Sequence, residues 1–206
     1  MPHPRESAEA PTGSRAPGDA PAITPFQPTG PYPQVMLDLP TGAAIPLDTT
    51  ALGERIVVAG RLLDGSGTPV CDAMVETWQA DASGCYAHPQ DPRAADADTN
   101  FWGYRRVATD RDGRFRIDTI KPGAPLAAPG AGGPAPHLVV GLYGGGILYR
   151  YVTRIYFDDE PGNLTDPVLQ LVPAARRHTL IATRDGDTYR IEIRLQGENE
   201  TVFFDV

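Results

Sequence analysis

The sequence has little cysteine. Cys71 and Cys85 are the only thiols in 206 residues, too few to staple a chain this long, so no disulfide framework is expected and both should stay reduced in a cytosolic protein. Long apolar runs are missing too. The opening MPHPRESAEAPTGSRAPGDAPA has no stretch that could serve as the hydrophobic region of a signal peptide, and no later segment approaches the roughly 18 apolar residues of a membrane helix. The expectation is a cytoplasmic protein with no membrane partner. Basic charge is also scarce: 18 Lys and Arg stand against 26 Asp and Glu, a formal net charge of −8. That is the reverse of what phosphate neutralisation requires, and it argues against nucleic acid as a partner.

Glycine and proline are in excess, 22 of each, close to double the usual combined share of roughly 12%. Long helices are therefore excluded, and short strands with many turns are favoured. A hydrophobic content of 41% suffices for one core. Within the first 46 residues lie 11 of the 22 prolines, and a segment missing so many backbone donors cannot form regular ladders. Residues 1–22 are expected to be a disordered leader. Residues 23–54 carry Ile23, Phe26, Tyr32, Val35, Met36, Leu37 and Leu39, more apolar side chain than a free linker exposes, and should form an extended arm.

Residues 55–206 read as a β-domain. Phe115 and Ile117 alternate with Arg114, Arg116 and Asp118. Tyr151, Thr153, Ile155 and Phe157 alternate mainly with polar residues, and Tyr189, Ile191, Ile193 and Leu195 with Arg190, Glu192 and Arg194. A period of two over such short segments means half-buried antiparallel strands. Residues 56–63, 73–79, 137–143 and 201–204 are rich in β-formers, and Asp64-Gly65, Asp112-Gly113 and Asp185-Gly186 supply turns. The predicted fold is all-β, an antiparallel β-sandwich with an extended N-terminal arm and little helix. Residues 121–136, with five prolines, should be a long loop. Residues 173–182, opening on a proline, suggest a short surface helix.

The run Gly60 to Pro89 combines a strand, a small-residue turn, Pro-Val, Glu76-Thr77-Trp78-Gln79-Ala80 and Gly84-Cys85-Tyr86-Ala87-His88. It resembles the catalytic-domain signature of the intradiol ring-cleavage dioxygenases. The resemblance continues through Ala108-Thr109-Asp110, Thr119-Ile120-Lys121-Pro122-Gly123, Ala135-Pro136-His137, Thr153-Arg154-Ile155-Tyr156-Phe157 and Leu195-Gln196-Gly197. It implies the β-sandwich fold of that family. Thr24-Pro25 and Thr29-Gly30-Pro31-Tyr32 are similar to the arm of its heteromeric branch. Val172 to Arg177 and Glu200 to Asp205 look like the α-type chain of that branch.

The resemblance implies a chemistry. In this family a non-haem Fe(III), held by two tyrosinates and two histidines, binds a catechol, and both atoms of O₂ are inserted as the ring opens between its adjacent hydroxyls. Tyrosinates are hard anionic donors that suit a trivalent ion, and imidazole is a common iron ligand. Carried over by motif, the first tyrosine is Tyr86. The second would come after Lys121-Pro122-Gly123, where Pro125 stands instead. The His-x-His pair reads His137-Leu138-Val139, so Val139 replaces the second histidine. Tyr86 and His137 are then either remnants of a degenerate site or packing residues. His88 and His178 read as surface histidines.

The same resemblance implies a chain without metal of its own. Its partner would be an iron-bearing β-type chain in a hetero-oligomer that cleaves 3,4-dihydroxybenzoate. Thr29, Gly30, Pro31 and Tyr32 would form a lip over the partner's pocket, or else simply pack the arm on the sandwich. Gly145 stands where such α-type chains often carry an arginine facing the substrate carboxylate. Two alternatives remain open on sequence alone: a stand-alone β-sandwich binding module, and a homo-oligomeric enzyme with a different metal set.

Overall fold

A computed structural model describes residues 46–127, 132–144, 147 and 150–205, together with Leu37. The leader and all but the end of the arm lie outside the described residues.

Among the described residues eight strands carry the fold: β1 (Arg55–Leu63), β2 (Ala73–Trp78), β3 (Tyr104–Ala108), β4 (Arg114–Ile120), β5 (His137–Gly144), β6 (Tyr151–Phe157), β7 (Ile181–Asp185) and β8 (Thr188–Arg194). Their order is β3-β2-β5-β6-β7-β8-β1-β4. The sheet folds over so that β3 and β4, its two ends, are joined by the tight turn at Gly113, where φ is +70°. Alternate residues of both halves point inward and share one core. Val58 and Leu62 of β1, Ile117 of β4, Leu138 and Val140 of β5, Ile155 and Phe157 of β6, and Tyr189 and Ile193 of β8 meet there. The expected β-sandwich with little helix is what the chain forms.

Two pairings depart from the antiparallel pattern. β1 runs parallel to β8 over seven residue pairs, and β6 parallel to β7 over two, Tyr156 with Ile181 and Phe157 with Ala182. Parallel neighbours need a long crossover. Between β1 and β8 that crossover is nearly the whole domain, so no local pattern announces it.

The short surface helix expected within residues 173–182 is a 3₁₀ helix, Ala174–Leu180, that runs directly into β7, so residues 181 and 182 belong to the sheet. Two other local readings are corrected. Residues 201–204 form only an isolated bridge, Phe204 with Val152. β3 is an additional strand. It is an edge strand whose inward-side Arg105 folds back to donate to the Trp102 and Tyr104 carbonyls, and an inward charge is a known means of blunting an edge.

The short β6–β7 seam is reinforced by charge. Asp159 Oδ2 accepts from Lys121 Nζ at 2.9 Å, Arg184 Nη1 at 2.8 Å and the Tyr189 hydroxyl at 2.9 Å. Burial works to raise the Asp159 carboxyl, but these donors outweigh it and bring it down to about 2. A depressed carboxyl stabilises the fold above its unfolded pKa and loses that contribution as pH falls through the folded value. Asp159→Asn should therefore cost about 1–2 kcal/mol near neutrality, allowing for partial exposure of the cluster. The gap in melting temperature between wild type and variant should narrow as pH drops from about 4 towards 2. A gap independent of pH over that window would contradict this assignment.

A second, smaller cluster covers the outer face of β6. Tyr156 points away from the main core and packs with Leu169 of a five-residue helix, α1 (Pro167–Leu171), and with Ala135, Val172 and Leu180. Asp166, fully buried, caps α1: its Oδ1 accepts from the Val168 and Leu169 amides at 2.9 and 2.7 Å. The same oxygen accepts from the Tyr156 hydroxyl at 3.0 Å, and Oδ2 from the Ala135 amide at 2.8 Å. One carboxylate thus ties α1, β6 and the segment entering β5 together. The end of the arm also packs on the domain, with Ala51 and Leu47 against Phe101 and Ile120. Cys71 is exposed, Cys85 is buried, and both are free. Among the described residues no helix is long and apolar enough to cross a membrane.

Candidate functional site

The site begins where β2 ends. Buried Gln79 locks that end to β4, donating to the Ile120 carbonyl at 2.8 Å and accepting from the Thr119 hydroxyl at 2.8 Å. The chain then turns about Asp81. Asp81 Oδ1 accepts from Ser83 N, Ser83 Oγ and Cys85 N, and Oδ2 from Asp98 N, all within 2.9 Å. Burial raises this carboxyl, but the bonds together hold it below the usual range. Gly84 completes the turn at φ +82°, and a Cβ there would meet the Ala124 carbonyl oxygen at 2.0 Å. The segment 121–127 can therefore lie directly against the turn, held by the Gly123 amide on the Asp81 carbonyl at 2.8 Å.

This geometry presents Tyr86. Its ring stacks on Trp78 with centroids 5.7 Å apart and planes 18° from parallel, and the exposed His88 meets Trp78 edge-on at 6.5 Å. Pro125 and Leu126 line, with Trp78, Tyr86 and His88, a cleft of about 490 Å³. Tyr86 and Pro125 thus share one cavity.

The other two positions lie on the outer face of β5. Val139 is paired with Trp78 of β2 on one side and Arg154 of β6 on the other, and His137 is paired with Tyr156. The buried His137 ring has Nδ1 2.7 Å from the Ala135 carbonyl and lies 5.6 Å from the Tyr156 ring. Burial, assisted by the Arg154 charge, pushes the imidazole down to about 4, so it stays neutral. Burial raises the Tyr86 phenol, with Arg154 acting in the opposite direction. Arg154 therefore acts on both remaining candidate ligands while donating to the Tyr156 hydroxyl at 3.3 Å.

The donor set does not suit Fe(III). Pro125 and Val139 offer no side-chain donor atom, and a permanent guanidinium, Arg154, is the cross-strand neighbour of Val139. Among the described residues no group of three or more His, Cys, Asp or Glu could hold a metal ion. His178 sits in the 3₁₀ segment and does not line the cleft over Tyr86. Thr29, Gly30, Pro31, Tyr32 and Gly145 lie outside the described residues. Sequence reasoning missed Arg154 and Asp166. The first was visible as the polar, outward residue of the β6 alternation, and the second as an Asp directly before Pro167, a helix-start signal.

Comparison with known proteins agrees with the fold and the motifs. A family model described as "Dioxygenase" matches residues 29–197, and the chain belongs to the intradiol ring-cleavage dioxygenase family. It is 42% identical over 203 residues to the protocatechuate 3,4-dioxygenase alpha chain of Burkholderia cepacia, covering 89% of this chain and 97% of that one. It is 43% identical over 160 residues to the protocatechuate 3,4-dioxygenase beta chain of the same organism, covering 73% and 68%. The crystal structure of catechol 1,2-dioxygenase from Pseudomonas arvilla C-1 superposes with a TM-score of 0.57 over 74% of this chain and 56% of that one at 21% identity, which speaks to the fold alone. The similarity extends beyond the sandwich into the arm, and nothing in it favours a stand-alone binding module.

Proposed function

We propose that this chain is the non-iron α subunit of a protocatechuate 3,4-dioxygenase, acting in the cytoplasm. It would complete the pocket of an Fe(III)-bearing β chain that cleaves 3,4-dihydroxybenzoate with O₂ to 3-carboxy-cis,cis-muconate. One observation carries the reading: two of four ligand positions, Pro125 and Val139, have no donor, and Arg154 supplies a fixed cation beside the remaining two. Near full-length similarity to an α chain supports it. In this reading the chain takes no part in electron or oxygen transfer. Its contribution is steric and electrostatic, through Thr29, Gly30, Pro31 and Tyr32 at the rim of the partner's pocket, and Tyr86, Pro125, His137 and Val139 are degenerate ligand positions.

The rim is tested by Pro31→Trp in the assembled enzyme. Bulk placed there should raise the KM for 3,4-dihydroxybenzoate about tenfold, equivalent to roughly 1.4 kcal/mol of binding, with iron content unchanged. An unchanged KM, or loss of iron, would count against the rim assignment.

A further inference from the structure

The outer face of the β4-β1-β8-β7 half of the sheet holds a cleft of about 770 Å³, within the range of small-molecule sites. Its shape follows from the strand register. Ala59 of β1 lies between Arg116 of β4 and Arg190 of β8 in one cross-strand row, so a methyl group forms the floor while long side chains stand on either side. Two residues along β1, Arg61 lies directly opposite Arg114 of β4. In a chain of net charge −8, four arginines thus surround one short side chain, and all four line the cleft.

Nothing in the fold calls for this arrangement. Like charges directly opposite on neighbouring strands are destabilising, yet Arg61 faces Arg114. Arg61 Nε donates to the Asp112 main-chain carbonyl at 3.0 Å. Among the described residues Arg61 has no carboxylate within ion-pair distance, whereas Arg114, Arg116 and Arg190 have Asp112, Asp118 and Asp185. Those three pairs form within a strand or across a tight turn, and their arginine side chains are 62%, 62% and 61% exposed. Ion pairs in such a setting contribute little, so these guanidiniums can turn to a stronger partner. The two carboxylates on the lining are committed elsewhere: Asp110 accepts from the Asp112 and Arg114 amides at 2.9 and 2.8 Å, and Glu192 from the Arg194 side chain at 2.9 Å.

We propose that this cleft binds a small anion with two oxyanion groups roughly 7 Å apart, one group held by Arg61 and Arg114 and the other by Arg116 and Arg190. The spacing is that of two residues along a strand, and guanidinium forks match carboxylate and phosphate oxygens alike. None of these residues belongs to the degenerate ligand positions, so the site does not rest on the function proposed above.

The test is calorimetric titration of the full-length chain at low ionic strength with two pairs of probes, heptanedioate against heptanoate and tripolyphosphate against inorganic phosphate. The two-headed member of a pair should bind saturably, one molecule to a chain, and at least about tenfold tighter than its one-headed control. Saturation by either supports the site, and the tighter of the two assigns the ligand as a carboxylate or a phosphate. Arg61→Gln and Arg116→Gln should each weaken that probe about tenfold, and Arg61→Lys should recover part of the loss. Arg176→Gln removes an exposed arginine outside the cleft and should leave the affinity unchanged, which separates a specific site from general attraction to positive charge. Ala59→Phe fills the floor from a half-buried strand position and should abolish binding with little change in melting temperature. No saturable binding of either two-headed anion, binding no tighter than that of the one-headed control, an equal loss in Arg176→Gln, or full affinity in Ala59→Phe would each overturn the proposal.

Discussion

Asp166→Ala should lower the stability of the domain by about 3–5 kcal/mol, the range for removing a buried charged acceptor whose donors are then orphaned. The carboxylate has no exposure and accepts from the Val168 and Leu169 amides, the Ala135 amide and the Tyr156 hydroxyl. Loss of the helix cap alone costs about 1 kcal/mol. The remainder comes from the Ala135 amide and the Tyr156 hydroxyl, which are held in the second core cluster with Leu169. Asp166→Asn keeps an acceptor oxygen and should cost less. Denaturant unfolding would show a lower midpoint with an unchanged slope. A loss below about 1 kcal/mol for the alanine variant would mean that water replaces the carboxylate and that α1 is not fastened to β6 in this way.

Gly84→Ala should cost about 2–4 kcal/mol, because it combines a left-handed backbone with a backbone clash. The added Cβ would sit 2.0 Å from the Ala124 carbonyl oxygen, so the segment 121–127 would have to move off the Asp81 turn and the wall bearing Pro125 would go with it. Gly186 provides the control. Its φ of +66° is comparable, but a Cβ there meets nothing within 4 Å, so Gly186→Ala should cost only about 1 kcal/mol. Equal losses at the two positions, measured by thermal unfolding, would show that strain alone operates and that the close approach at Gly84 does not position the cleft.

The strands with two-residue alternation were legible in the sequence because most of their inward residues are apolar, with Thr119 and Thr153 the buried exceptions: Phe115 and Ile117 in β4, Ile155 and Phe157 in β6, Tyr189 and Ile193 in β8. β3 was not, because Arg105 takes an inward position and gives the edge strand no apolar rhythm. β7 was hidden by its length and by the helix before it: Pro173 caps the 3₁₀ helix Ala174–Leu180, which passes into the strand without a break. The parallel β1–β8 ladder joins opposite ends of the domain and leaves no local trace.

At the site, resemblance located Tyr86, Pro125, His137 and Val139. The row Trp78, Val139, Arg154 could not be read without the strand register, since Arg154 lies on a strand far along the chain from Trp78. The Asp81 turn and Gly84 were present in the sequence as polar and small residues. Their purpose, holding the 121–127 segment against Tyr86, depends on a contact between positions about forty residues apart.

The claim that the chain works as the metal-free half of a two-chain enzyme is decided by metal analysis and oxygen uptake on 3,4-dihydroxybenzoate, made on the chain alone and on its complex with a β chain bearing the full ligand set. The chain alone should hold no stoichiometric iron and consume no oxygen, while the complex should hold iron and turn over. About one iron per isolated chain, with turnover, would contradict the donor-set argument built on Pro125, Val139 and Arg154.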